Sequence, residues 1–381
     1  MEDLSIIKKL TSEPIKGYGE ECLEFTQRDW IQISQQFTPD TFKKYHPIYV
    51  LRAMSEWPEH DEDTAYGIIK SYFYQSVINQ LDRLFVLEYL FWLGCTKWIK
   101  QLINEKIGAK DPNIQELKSV YTLYVAQVER KISGEDAINQ AMELDCKHYE
   151  TKMAAMIIHL YAISRLGLHE PFIKLLNAVI PSLSHCQHKE LLTAFKIQLG
   201  EMYIFSTLYK RNDIEAFREL CGKYFRNKEL LKQFPLLEIH LTHMIAHSYT
   251  FYNFEKSKEW LFKSLILTEC VHSQYRKISR TDIINSFDFL RSLWKKELHV
   301  PPASLSEKAH RLIVTGHTEE GLAILQKIKK KNGKFTLFEQ YYVAMAQKNK
   351  DYADDIKQLF QHNRNEFYIQ VLDNPAFHIS S

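Results

Sequence analysis

Apolar residues recur at helical spacing along almost the whole chain, and this periodicity limits the fold more than any other feature. For example, Met153, Met156, Leu160 and Ile163 share one face of a helix. Alternation of apolar and polar residues, which marks a half-buried strand, is not sustained over any useful length. The chain also holds only 12 Gly and 11 Pro in 381 residues, so few residues interrupt helices. The sequence therefore predicts an all-α fold of long helices joined by short turns.

Short polar turns separate the helices, several of them at intervals of roughly 33 to 44 residues, the period of two-helix repeats. The clearest repeat is Ala309–Leu325, where a turn at Gly316 precedes a second helix that opens with acidic residues. Ala323 is the small residue that we expect at the close-packing face of this second helix. The unit resembles a tetratricopeptide hairpin. The predicted architecture is a right-handed superhelical array of tetratricopeptide-like helical hairpins.

The strongest break in the helical pattern is His299-Val-Pro-Pro-Ala303. Ser304 or Ser306 is suited to cap the helix that follows. The chain then divides into an N-terminal helical cap, a helical-repeat array and a set of C-terminal hairpins. The predicted boundaries of these three regions are 1–44, 45–298 and 299–381.

Charge and cysteine usage point to the cytoplasm. Because 49 Lys and Arg oppose 47 Asp and Glu, no global field draws the chain to nucleic acid or to an anionic membrane. The six cysteines include no CxxC pair, which is typical of reduced core thiols. The charged start, Met1–Pro14, is unlike a secretory signal. The most apolar stretch, Leu84–Cys95, is shorter than the ~20 residues needed to span a bilayer, so we expect it to form a buried helix.

The chain carries no motif of a known catalytic centre, neither a phosphate-binding Gly-rich loop nor a nucleophile elbow nor HExxH. His240, His243 and His247 share a helix face, and in principle they could bind a metal. An inner repeat surface, where these histidines hydrogen-bond to neighbours, is the favoured interpretation. His185 and His188 lie in a turn-like stretch without a partner motif. We therefore predict a protein that is not an enzyme and has no cofactor and no metal.

Three segments, in order, resemble the AimR-type arbitrium receptors, the phage peptide receptors that govern lysis versus lysogeny. They are Phe251-Tyr-Asn-Phe-Glu255, Leu290-Arg-Ser-Leu-Trp-Lys-Lys-Glu297 and the hairpin around Gly316. Weaker similarity extends from about Tyr49 to Glu366-Phe-Tyr-Ile369. The resemblance implies a tetratricopeptide-like array that binds a short secreted peptide, a C-terminal dimerisation segment within 299–381, and a homodimer acting in the cytoplasm of a Bacillus host.

The family pattern also indicates candidate peptide-binding residues. Ser206 and Lys210 stand where relatives present asparagines to the peptide backbone, and Asn365 stands where an acidic residue meets a basic group of the peptide. Relatives begin with a helix-turn-helix, but residues 1–44 show no pattern of its three helices. DNA binding therefore stays open, and no DNA-binding residue is assigned.

Two functions are favoured by the sequence, after which a metal-dependent enzyme using His240, His243 and His247 is the third hypothesis. The first is an AimR-like regulator that senses a short peptide and controls transcription, directly or through a partner protein. The alternative is a peptide-independent scaffold or anti-regulator, similar to Rap proteins, that binds a host or phage regulatory protein.

Overall fold

The chain folds into helices, as its periodicity predicts. The computed structural model describes residues 62–74, 78–106, 110–129, 131–166, 168–270, 273–347, 350–362 and 366–373, and every regular element within these ranges is a helix. The predicted cap, 1–44, lies outside them. In chain order the α-helices are α1 Glu62–Phe73, α2 Gln80–Trp92, α3 Thr96–Asn104, α4 Pro112–Val128, α5 Gly134–Met142, α6 Tyr149–Arg165, α7 His169–Ser182, α8 Lys189–Tyr209, α9 Ile214–Phe225, α10 Lys228–Gln233, α11 Pro235–His247, α12 Phe254–Leu267, α13 Ser273–Trp294, α14 Leu305–Val314, α15 Thr318–Asn332, α16 Leu337–Gln347, α17 Lys350–His362 and α18 Glu366–Asp373. Short 3-10 turns follow α7 at Leu183–His185 and α12 at Thr268–Cys270.

Polar side chains begin many of these helices by binding backbone N–H groups that have no partner within the helix. Ser133 accepts from the N–H of Asp136 at 3.0 Å and starts α5. Ser304 accepts from the N–H of Glu307 at 3.2 Å and starts α14. Of the two serines predicted to cap α14, Ser304 is therefore the cap.

The repeat predicted at Ala309–Leu325 is a helical hairpin of α14 and α15, with Gly316 at φ +90° in its turn. Its close-packing residue is Gly321, because a Cβ there would lie 2.7 Å from Cγ1 of Ile313 and 2.9 Å from the carbonyl oxygen of Ala309. The placement of Ala323 at this face was wrong, since its side chain is exposed. Two residues along a helix turn the side chain by about 200°, so Gly321 and Ala323 lie on opposite faces.

The described chain forms two compact units. Unit 1 comprises the described residues within 1–203, 223–237 and 269–276. Its centre is α2, which is apolar around most of its circumference, as expected for a helix buried on all sides. Leu84, Leu87 and Trp92 are inaccessible to solvent, so the buried helix predicted at Leu84–Cys95 is confirmed.

Unit 2 comprises the described residues within 204–222, 238–268 and 277–381. Within it, His299–Ala303 forms the non-helical connection between α13 and α14, which confirms the predicted break. The connection is fixed by the buried carboxylate of Asp288, which accepts from the N–H of Ala303 at 2.8 Å. The guanidinium of Arg311 donates to the carbonyl oxygen of Val300 in the same connection. Hydrogen bonds to ionised groups are stronger than neutral ones, so these contacts hold the irregular backbone in place.

The described cysteines and helices agree with two predictions from the sequence, that the cysteines are core thiols and that the most apolar segments do not span a bilayer. Cys95, Cys186 and Cys221 are buried thiols and Cys146 is half-buried. Across the described ranges, no helix combines the length and the apolar character needed to cross a bilayer.

Candidate functional site

Two of the three candidate peptide-binding residues lie at the C-terminal end of α8, in unit 2. Ser206 is in the last turn of the helix with only 2% of its surface exposed. Its carbonyl oxygen accepts from the backbone N–H groups of Lys210 at 3.0 Å and Arg211 at 3.2 Å. Asn212, at φ 52°, then reverses the chain. Ser206 therefore belongs to the helix end itself, and Lys210 opens the turn that follows.

The side chain of Lys210 is half-buried, and this burial lowers the pKa of its ammonium group to about 8. Burial disfavours the charged form because the ammonium loses hydration. At neutral pH most molecules still carry the charge. An anionic ligand group placed beside Lys210 would offset the lost hydration.

The third candidate, Asn365, lies outside the described residues, but α18 begins at the next position. Tyr209, between Ser206 and Lys210 in the chain, contacts this helix. Its ring lies nearly parallel to that of Tyr368, with centroids 5.8 Å apart, and meets Phe367 edge-on at 5.6 Å. The structure thus brings the end of α8 against the start of α18.

Two further rings complete an aromatic cluster, defined here as Tyr209, Phe251, Phe338, Phe367 and Tyr368. Phe251 lies 5.1 Å from Phe367, and Phe338 meets Tyr368 edge-on at 4.9 Å. Phe367 is fully buried. Edge-on and offset ring contacts add stabilisation beyond that of the buried area, so the cluster helps to attach α18.

A polar bridge supports the same attachment from the side. Gln370 of α18 donates through Nε2 to Oδ1 of Asn212 at 2.7 Å. Its Oε1 accepts a hydrogen bond from the hydroxyl of Tyr252. We call this arrangement the Gln370 bridge, and it ties α18 both to the turn after α8 and to the segment before α12.

The histidines of α11 form a hydrogen-bonded network beside the aromatic cluster. His243 and His247 approach each other through their Nε2 atoms at 3.1 Å. Oγ of Ser286 lies 2.9 Å from Nε2 of His243 and 3.0 Å from Nε2 of His247. Nδ1 of His247 lies 2.6 Å from the hydroxyl of Tyr209. The network therefore connects α11 and α13 to the aromatic cluster.

Both histidines are held neutral by their surroundings. Burial lowers the pKa of His247 to about 4. It also lowers the pKa of His243 to well below its usual range, with smaller contributions from the charges of His247 and His240. No group of three or more His, Cys, Asp or Glu side chains suited to a metal occurs in the described ranges. His243 and His247 thus hydrogen-bond to their neighbours, as the favoured interpretation of this face expects.

The other histidine pair forms no joint site. Nδ1 of His185 lies 3.3 Å from the carbonyl oxygen of Ser182, whereas Nε2 of His188 lies 3.4 Å from Asp82. The two rings therefore have separate neighbours.

Reasoning from the sequence did not find the aromatic cluster. The signal was present in Phe251-Tyr252 and in Phe367-Tyr368, two aromatic pairs within segments that carried the family resemblance. Nothing in helical periodicity shows that residues more than a hundred positions apart meet at the end of α8. Only the packing of α18 shows that these aromatic residues attach that helix.

Comparisons with known proteins agree with this architecture. The model of the AimR transcriptional regulator-like family matches residues 65–372. The fold is similar to that of the phAimR-Ligand structure, with a TM-score of 0.66 at 16% identity over 82% of this chain and 91% of that one. It is also similar to the SeMet-phAimR structure, with a TM-score of 0.56 at 15% identity over 97% of this chain and 94% of that one. An uncharacterized protein of Bacillus anthracis is 23% identical over 223 residues, which cover 58% of this chain and 82% of that protein.

Proposed function

The chain belongs to the AimR transcriptional regulator-like family, and from this premise we propose that it is a non-catalytic regulatory receptor for a short peptide. The contact of Tyr209 with Phe367 and Tyr368 carries the proposal. We infer that a ligand bound by Lys210, the residue next to Tyr209, alters the packing of Tyr209 against α18. The phAimR-Ligand structure, which has the same fold, supports a ligand-binding role for this architecture.

The chemistry of Lys210 indicates which peptide would bind. Its half-buried ammonium favours a carboxylate, either at the C-terminus of the peptide or on an acidic side chain. Asn365 replaces the acidic residue that the family pattern places opposite a basic group of the peptide. We therefore propose a peptide that is held by its own carboxylate at Lys210 and does not depend on an arginine.

The regulatory step would follow from α18. Binding beside Tyr209 would change the packing of the aromatic cluster and hence the C-terminal region 299–381, which we propose as the dimer contact. The protein would act in the bacterial cytoplasm as a homodimer on a lysis–lysogeny decision. It would control transcription directly or through a partner protein.

Calorimetric titration tests the receptor role. The full chain is titrated with synthetic peptides encoded beside its gene, and we expect one of them to bind with one site per chain. Lys210→Met should weaken binding of that peptide by tenfold or more, because a hydrogen bond to a charged group contributes about 1.5–3 kcal/mol. Lys331→Met, at an exposed position near the end of α15, removes the same charge and should leave affinity unchanged. Equal affinity in both variants would exclude Lys210 from the site.

A second function is favoured by the burial of Ser206. With 2% of its surface exposed, Ser206 cannot contact a peptide unless the end of α8 rearranges. This burial supports the alternative of a peptide-independent scaffold that binds a host or phage regulatory protein. The scaffold function would be supported, and the receptor function refuted, by two results together. No encoded peptide would produce heat, and the purified chain would form a complex of defined stoichiometry with a purified regulator of the host or phage.

A further inference from the structure

Four lysines at the C-terminal end of α15 form an exposed basic surface in unit 2. Lys327, Lys330 and Lys331 lie at positions i, i+3 and i+4 of the helix, and Lys334 follows shortly after the helix ends. All four side chains are exposed. The three helical positions lie within about 100° of one another, on the side away from the buried face of α15. We call these four residues the lysine ridge.

The lysine ridge carries more positive charge than its own helix can offset. The C-terminus of an α-helix supplies about half a negative unit charge, against four ammonium groups. Lysines at i, i+3 and i+4 repel one another and destabilise the helix that carries them. Within the described part of the chain, no carboxylate forms an ion pair with any of the four. Lys329, by contrast, has its ammonium 5.1 Å from the centre of the Phe335 ring and is not part of the ridge.

The acidic groups around α15 are buried or distant from the ridge. The neighbouring helices α14 and α16 each contain one acidic residue, Glu307 and Glu339. These have only 9% and 5% of their surface exposed, and both carboxylates accept hydrogen bonds inside the protein. Glu319 and Glu320 lie in the first turn of α15, which places them about 10–12 Å along the axis from the ridge, or about one Debye length. The exposed charge at this end of the helix is therefore positive.

We propose that the lysine ridge binds the phosphate backbone of a DNA duplex without reading its sequence. The three helical lysines cover about 6 Å of helix axis, and the same length of duplex carries about three to four phosphates. Lysine supplies a point charge on a flexible stem, which suits phosphates, whereas protein–protein interfaces are depleted in lysine. This contact differs from a helix-turn-helix, which places a recognition helix in the major groove. It rests on the proposed function, because a receptor that controls transcription directly must reach DNA.

Fluorescence anisotropy of a labelled DNA duplex of arbitrary sequence, titrated with the full chain at several KCl concentrations, tests the ridge. Each phosphate contact contributes about 0.9 to the slope of log affinity against log salt concentration. We expect this slope to be shallower by about 3–4 in a quadruple variant. Between about 50 and 200 mM salt, the wild type should then lose about 150-fold more affinity than this variant does. The four substitutions are Lys327→Gln, Lys330→Gln, Lys331→Gln and Lys334→Gln.

Two matched variants separate the ridge from the overall charge of the chain. Substitution of arginine for lysine at the four ridge positions keeps the charge and should keep the salt slope. A control variant removes the same number of charges from exposed positions of unit 1, and its slope should stay within about one of the wild-type value. Circular dichroism checks that every variant retains its helices. The substitutions of the control variant are Lys147→Gln, Lys174→Gln, Lys189→Gln and Lys228→Gln.

If the wild type does not bind the duplex even at the lowest salt concentration, or if the ridge variant keeps the wild-type slope, the four lysines are a solvated helix face and the proposal is wrong. Vesicles that contain phosphatidylserine and poly-glutamate are titrated in parallel, as models of an anionic membrane and an acidic protein. Ridge-dependent binding to either of them without binding to the duplex would also overturn DNA as the partner. Binding of the duplex with the expected slope, but of no encoded peptide, would refute the receptor function and keep the ridge, whereas the reverse result would refute only the ridge.

Discussion

The carboxyl group of Glu88 makes the stability of unit 1 depend on pH. Glu88 lies on α2 with 3% of its surface exposed. It accepts hydrogen bonds from the hydroxyl of Tyr121 at 2.5 Å and from Nε2 of Gln198. Burial raises its pKa from 4.5 to about 7, and these two hydrogen bonds offset the effect only in part. The folded protein therefore binds a proton that the unfolded chain releases at a lower pH.

The sign of the pH dependence follows from this difference. Below about pH 4.5 the group is protonated in both states and costs nothing. As the pH rises from 4.5 through 7, the unfolded chain loses its proton first, so the folded state loses stability relative to it. The difference of about 2.5 pKa units corresponds to about 3 kcal/mol above pH 7. Ionised Glu88 is thus a destabilising charge in an apolar core.

The variant Glu88→Gln removes that charge and keeps the shape of the side chain. Its oxygen can accept from Tyr121. Its amide can donate to Oε1 of Gln198, which has no hydrogen-bond partner, after a rotation of the Gln198 amide. We expect the free energy of unfolding of Glu88→Gln to exceed that of the wild type by up to about 3 kcal/mol at pH 8. The two proteins should be nearly equal at pH 5.

Urea denaturation followed by circular dichroism at pH 5, 6, 7 and 8 measures this difference. The exposed residue Glu143 supplies a control, since Glu143→Gln removes the same charge from the surface and should stay within about 0.5 kcal/mol of the wild type at every pH. The reasoning would be refuted if the wild type had a higher free energy of unfolding than Glu88→Gln at pH 8 and if this difference were the same at pH 5. That result would mean that the hydrogen bonds of the carboxylate outweigh its burial.

Three further substitutions test the packing of unit 2. Gly321→Ala should lower the free energy of unfolding by about 1–3 kcal/mol, because the new methyl group would meet Ile313 and the backbone of α14; urea denaturation measures it, and an unchanged midpoint would show that the hairpin can separate without cost. Tyr342→Phe removes the hydroxyl that donates to Glu307 at 2.9 Å and should cost about 1–3 kcal/mol in the same assay, whereas a gain in stability would contradict a role for this bond. Phe367→Ala should release α18, with a loss of about 3–5 kcal/mol from the aromatic cluster, seen as faster proteolysis near the C-terminus; cleavage at the rate of the wild type would show that the cluster does not hold the helix.

The sequence predicts helices well here and predicts their contacts poorly. Apolar periodicity is a local property, so it correctly indicated α2 and the break at His299–Ala303. Two small residues in one helix give the same local signal. Deciding whether Gly321 or Ala323 lies at the close-packing face of α15 therefore needed the distance between the backbones of α14 and α15. Ser206 and Lys210 were identified by position in a family pattern, but Tyr209 between them makes the contact with α18, and a contact between such distant segments leaves no local trace.

The size of α18 determines how a ligand at Lys210 could act. An eight-residue helix is shorter than the ~12–15 residues that an isolated helix needs to be even marginally stable in water. Its helical state therefore depends on the aromatic cluster and on the Gln370 bridge. A ligand that packs beside Tyr209 without moving it would hold these rings in place and slow hydrogen exchange of the α18 amides. A ligand that displaces Tyr209 would remove the support of the helix and speed that exchange. Because the two modes give opposite signs, exchange at α18 with and without bound peptide would decide whether the ligand stabilises the C-terminal helix or releases it, and unchanged exchange would separate α18 from ligand binding altogether.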